Sequence, residues 1–121
     1  MEIKVSKSTG KIYIVELSGT LDLYSSLQLK DNVMKLVEMK IAHVIIDLNE
    51  VDGINSAGIG ALIYVFSTLK KIKCPLIIIA QEGPVLQALE QTRIRNYFTI
   101  VKSLEDAIIL AAAADSVVSR V

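Results

Sequence analysis

Two short runs rich in β-branched residues constrain this chain more than any other feature: Val44-Ile45-Ile46-Asp47-Leu48 and Leu76-Ile77-Ile78-Ile79-Ala80. Runs of this kind belong to strands covered on both faces. The segment between them, Ala57 to Ile72, reads as a helix; Lys70, Lys71 and Lys73 suit its negative end, and Pro75 stops it. Strand, helix and strand in succession call for parallel pairing through a right-handed crossover.

The flanks extend the pattern. Ile3-Lys4-Val5-Ser6-Lys7 alternates apolar and polar residues, Ser8-Thr9-Gly10-Lys11 supplies a turn, and Ile12-Tyr13-Ile14-Val15-Glu16-Leu17 reads as a second strand. So short a link predicts an antiparallel hairpin. Leu27, Leu29, Val33, Met34, Leu36, Val37 and Ile41 then recur at helical spacing, which predicts an amphipathic helix of about four turns. Gly83-Pro84 opens a short helix that ends near Thr92, Tyr97-Phe98-Thr99-Ile100-Val101 is read as an edge strand, and Ser103-Leu104-Glu105-Asp106 caps a last helix. The expectation is one α/β domain over residues 1–121, in the order β-β-α-β-α-β-α-β-α. Its sheet is mixed and largely parallel, with one antiparallel edge strand. Sites in such sheets lie where strands lead into helices at their carboxyl ends. Two loops then matter, Ser18 to Asp22 and Asn49 to Ser56.

Composition narrows the function. Thirteen basic and thirteen acidic residues give zero formal net charge, which argues against nucleic acid as partner and does not favour a membrane surface. The single cysteine, Cys74, cannot close an internal disulfide or build a metal site alone. The amino terminus lacks a signal-peptide layout, and no apolar run reaches the ~18 residues of a membrane span. A cytoplasmic protein with no membrane insertion is expected.

Catalysis finds little support. His43 begins a buried strand, Cys74 sits in a turn without an activating neighbour, and Asp47 at a strand end suits loop bonding. Gly58-Ile59-Gly60 lacks the Gly-Lys-Ser/Thr ending of a phosphate loop, and Ile63 stands where a dinucleotide fingerprint needs a further glycine. No cofactor or metal is implied. Ser56 is read as the N-cap of the second helix, with Ala57, Gly58, Gly60 and Ala61 forming a flat surface for close docking. A phosphate fits a helix start, where free N–H groups and the positive dipole end meet it. It would add about −1.5 to −2 charges to that surface.

The chain resembles the STAS domain of bacterial anti-sigma factor antagonists over nearly its whole length. The resemblance rests on Leu17-Ser18-Gly19-Thr20-Leu21-Asp22, on Val44-Ile45-Ile46-Asp47-Leu48 with Val51-Asp52, and on Ile54-Asn55-Ser56-Ala57-Gly58-Ile59-Gly60. It implies a partner-switching protein in which a cognate serine kinase, itself an anti-sigma factor, phosphorylates Ser56 and a phosphatase resets the cycle. It also implies that Asp22, Asn55, Ser56, Ala57, Gly58 and Gly60 form the partner-binding surface. Asn55 stands where the family usually has Asp, and Ala57 where a second hydroxyl is common. Two other readings share the fold: a constitutive scaffold or accessory subunit, as in stressosome-like or lipid-transport complexes, and a small-ligand module.

Overall fold

The computed structural model describes residues 1–8 and 10–119. The elements run β1 (Glu2–Lys7), β2 (Ile12–Leu21), α1 (Leu23–Val37), β3 (His43–Ile54), α2 (Ser56–Lys71), β4 (Leu76–Ile79), α3 (Pro84–Gln91), a 3-10 turn (Arg95–Tyr97), β5 (Thr99–Val101) and α4 (Leu104–Ser119). The strands form one sheet in the order β1-β2-β3-β4-β5. β1 pairs antiparallel with β2, and every other pairing is parallel, as the sequence predicts. Thr9, in the expected hairpin turn, lies outside the described residues.

The period-two alternation of the strands sorts their side chains onto two unequal cores. One face carries Val15, Leu17, Val44, Ile46, Leu48 and Ile78 under the inner stripes of α1, α2 and α3. Ile12, Ile14, Ile45, Ile77 and Ile79 point the other way, where Ala107 and Ala111 of α4 cover them. Three helices on one face and one on the other explain why both central strands read as continuous apolar runs. Among the described residues no helix is long and apolar enough to cross a membrane.

Several boundaries differ from the sequence reading. α1 begins at Leu23 and ends at Val37, so Ile41 falls in the following loop. Leu29, Val33 and Leu36 are its buried stripe, whereas Leu27 and Met34 are exposed. Tyr97 belongs to the 3-10 turn and Phe98 links it to β5, which shortens the edge strand to three residues. The largest difference lies at the expected loops. Ser18 to Leu21 and Asn49 to Ile54 continue β2 and β3, with Ser18 opposite Glu50, Gly19 opposite Val51 and Leu21 opposite Ile54. Register shifts interrupt this extension, which runs beyond the last β3–β4 pair, Asp47 with Ile79. Burial of Leu21 and Val51 anchors it, and its polar residues face outward. Each expected loop thereby shrinks to one residue, Asp22 after β2 and Asn55 after β3.

Candidate functional site

Leu21 and Ile54 are paired across β2 and β3, so the two residues that follow them, Asp22 and Asn55, emerge side by side. Both are helix N-caps. The Asp22 carboxylate accepts the Ser25 N–H at 3.1 Å, and the Ser25 hydroxyl accepts the Asp22 N–H at 2.7 Å, a reciprocal capping box that starts α1. The Ser25 hydroxyl has the Thr20 carbonyl at 2.8 Å and the Asp22 carboxylate at 3.0 Å within reach of its one proton, and the Ser26 hydroxyl donates to the Asp22 carbonyl. The Ser25 amide and hydroxyl both favour the charged form and hold the Asp22 carboxyl below its usual range.

Asn55 repeats the device on α2. Its side-chain oxygen accepts the Gly58 N–H at 3.1 Å, and its own N–H donates to the Leu21 carbonyl at 3.3 Å. The sequence reading gave the cap to Ser56; the structure gives it to Asn55 and makes Ser56 the first helical residue. The amide oxygen wins because Asn55 has the extended backbone of a cap, while Ser56 has already turned into the helix. Relieved of capping, the Ser56 side chain stands exposed at the helix start.

The residues expected to form a flat docking surface divide by direction. Gly58 and Ala61 are buried against the sheet. A Cβ at Gly58 would lie 2.5 Å from the Leu21 carbonyl oxygen and 2.8 Å from Ile54 Cγ1, so that glycine is required by the contact between helix start and strand end. Gly60 is exposed, and a Cβ there would meet nothing within 4 Å. Ala57 is half-buried. The exposed part of the segment is therefore Asn55, Ser56 and Gly60, with Asp22 beside it.

Apolar residues that the periodicity assigned to the core, or left unassigned, complete this surface. Leu23, Tyr24 and Leu27 on α1 are 60%, 80% and 57% exposed, and Ile63 and Tyr64 on α2 are also exposed. α1 and α2 lie side by side, and Lys30 Nζ sits 5.0 Å from the Tyr64 ring centre. The only signal for the α1 contribution was the cap itself: with Asp22 as N-cap, Leu23 and Tyr24 become the first helical turn.

The groups weighed for catalysis have structural positions. Asp47 lies inside β3 and not at a strand end as expected. It accepts the Asn49 N–H at 3.0 Å, and the Asn49 side chain accepts the Gln81 N–H at 2.9 Å, so both residues order β3 where its pairing with β4 stops. His43 is buried at the first position of β3. Burial pushes the Cys74 thiol up to about 11, which keeps it protonated and unreactive at neutral pH. No cluster of three or more metal-ligating side chains occurs among the described residues.

Comparison with known proteins bears on the family and the fold. The family model described as STAS domain matches residues 3–107. An anti-sigma factor antagonist from Mycobacterium paratuberculosis superimposes with a TM-score of 0.82 at 20% identity, covering 92% of this chain and 93% of that one. The unphosphorylated form of the anti-sigma factor antagonist SpoIIAA gives 0.71 at 14% identity, covering 93% and 98%. RsbS from Moorella thermoacetica, in a form with a serine replaced by glutamate, gives 0.80 at 13% identity, covering 96% and 99%. At these identities the likeness to solved structures is one of fold.

Proposed function

The chain belongs to the STAS domain family, and we propose that within it the protein is an anti-sigma factor antagonist that switches partners through Ser56. In this reading a serine kinase of the anti-sigma class is both the binding partner and the enzyme that phosphorylates Ser56. A phosphatase restores the binding form, and the cycle runs in the cytoplasm. The protein itself binds and does not catalyse.

One observation carries the reading: Ser56 is exposed at the first position of α2 while Asn55 performs the capping. A hydroxyl engaged as cap would have to leave the helix amides before it could be modified. Here the helix stays capped and the hydroxyl faces outward. Gly60 leaves room on the same side of α2, and Leu23, Tyr24 and Leu27 offer apolar area on the neighbouring helix. A phosphate adds about −1.5 to −2 charges at the edge of that area. Burying it against a partner without compensation costs about 2–5 kcal/mol, enough to release a complex.

Incubation with an anti-sigma serine kinase and ATP tests this directly. Mass spectrometry should find one phosphate on the wild type, placed at Ser56, and none on Ser56→Ala. Phosphate on another residue, or on none, removes Ser56 from the role. Equal kinase binding by wild type and Ser56→Asp would identify a constitutive scaffold instead.

A further inference from the structure

The zero net charge of the chain conceals a separation of charge along the strand direction. At the carboxyl ends of the parallel strands stand Asp22, Asp47, Glu50, Asp52 and Glu82, with Lys4 and Lys102 as the nearby bases. The opposite end is basic. The β1–β2 turn brings Lys7 and Lys11, the α1–β3 loop Lys40, the end of α2 and its loop Lys70, Lys71 and Lys73, and the α3–β5 connection Arg93. Among the residues whose side chains are described, the acids Glu38 and Glu90 lie on the same end, and Glu90 is taken by Arg95.

These loops are neighbours. Ala42 N–H donates to the Lys11 carbonyl at 2.9 Å, and Val44 N–H donates to the Pro75 carbonyl at 3.1 Å, which ties three of them together where the parallel strands begin. Each of the three connections entering β3, β4 and β5 also holds a large apolar or aromatic side chain out of the core. Met39 is 48% exposed, Ile72 46% and Tyr97 66%. Beside them, Phe66, Pro75 and Leu76 wall an open cleft of about 290 Å³ with Lys70 and Lys73 at its rim.

We infer that this end of the domain is a docking face for an anionic lipid bilayer. Lysines at the rim match the negative surface potential of such a membrane. Met39 and Ile72 at the loop tips enter the headgroup region, and Tyr97 takes the interfacial position that suits an amphipathic ring. Nucleic acid would meet the same charge, but aliphatic loop tips gain nothing from a phosphate backbone. This end lies opposite Ser56, so docking leaves the partner surface facing away from the membrane. The inference does not depend on the role of Ser56.

Co-sedimentation of the whole chain with vesicles tests it. One set is phosphatidylcholine alone; the other includes phosphatidylserine at roughly a third of the lipid. Binding should require phosphatidylserine and weaken as salt is raised. The pair Lys40→Glu and Lys71→Glu should lower it at least about tenfold. The pair Met39→Ser and Ile72→Ser, which alters exposed positions and no charge, should lower it roughly fivefold while leaving retention on duplex DNA unchanged. The melting transition of each variant shows that it folds. No sedimentation with phosphatidylserine vesicles at low salt overturns the inference. So does vesicle binding indifferent to Met39→Ser with Ile72→Ser, and stronger retention on DNA than on vesicles reassigns the face to nucleic acid.

Discussion

Gly58 sits so close to Leu21 that a Cβ at position 58 would lie 2.5 Å from the Leu21 carbonyl oxygen. That oxygen also accepts the Asn55 N–H, so the end of β2 and the start of α2 are locked together. The obstacle is backbone and cannot move aside as a side-chain tip can. Gly58→Ala should therefore destabilise the fold by about 2 kcal/mol despite the better helix propensity of Ala. Gly60→Ala meets open space and should gain up to about 1 kcal/mol. Urea titration of the two variants measures both. A stable Gly58→Ala would show that the contact is not tight.

Asn55 supplies the cap through its side-chain oxygen. Asn55→Ala should cost about 1 kcal/mol, and Asn55→Asp should keep the cap and add a favourable charge at the positive end of the helix. If Ser56 were the true cap, Ser56→Ala would show the loss and Asn55→Ala would not. Thermal melts of the three variants decide between them.

Much of this was legible in the sequence. The two β-branched runs fixed the central strands because a strand covered on both faces tolerates little but apolar side chains. The candidate segment stands out in the sequence by its small residues and its lone hydroxyl. What pattern could not show was how far β2 and β3 continue, since Asn49 to Ile54 carries the polar composition of a loop and is held in the strand by its pairing with β2 and the burial of Val51. The cap was misplaced for a related reason. Asn and Ser are near-equal capping residues, and the choice between them depends on where Ile54 stops pairing with Leu21. Leu27 and Met34 fit a helical stripe by spacing alone, yet the sheet and α2 cover only Leu29, Val33 and Leu36.

Asp22 gives the acid limb of stability a definite sign. Its folded-state pKa is depressed below 3.8 by the Ser25 amide and hydroxyl, so its contribution is present above the unfolded value and is lost as pH falls through the folded one. Asp22→Asn keeps an acceptor for the Ser25 amide without the titration. Its stability should fall less steeply than that of the wild type below about pH 4. Identical acid limbs would show that the capping box does not favour the carboxylate.

Cys74 offers a check on burial that needs no partner. With the thiol pushed up to about 11, little thiolate exists at pH 8, and the sulfur is shielded by its surroundings. Labelling by a disulfide reagent should be slow in the native protein and fast in denaturant. Rapid labelling of the folded protein would show that the Cys74 side chain itself, buried within an otherwise exposed turn, is open to solvent.

The exposed residues of α1 separate binding from folding. Leu27 and Tyr24 lie outside the core, so Leu27→Ser and Tyr24→Ala should change stability by no more than about 0.5 kcal/mol. If the surface beside Ser56 receives the anti-sigma partner, the same changes remove apolar anchors from the interface, and tyrosine is among the residues that most often dominate binding energy. Tyr24→Ala should then weaken the complex by about 2 kcal/mol, roughly thirtyfold in Kd. The control is Tyr97→Ala at the opposite end of the domain, which should leave that affinity unchanged. Calorimetric titration of the partner reads all three. Equal affinity for wild type and Tyr24→Ala would move the docking surface off α1, with Ser56 still open to test as the phosphate acceptor.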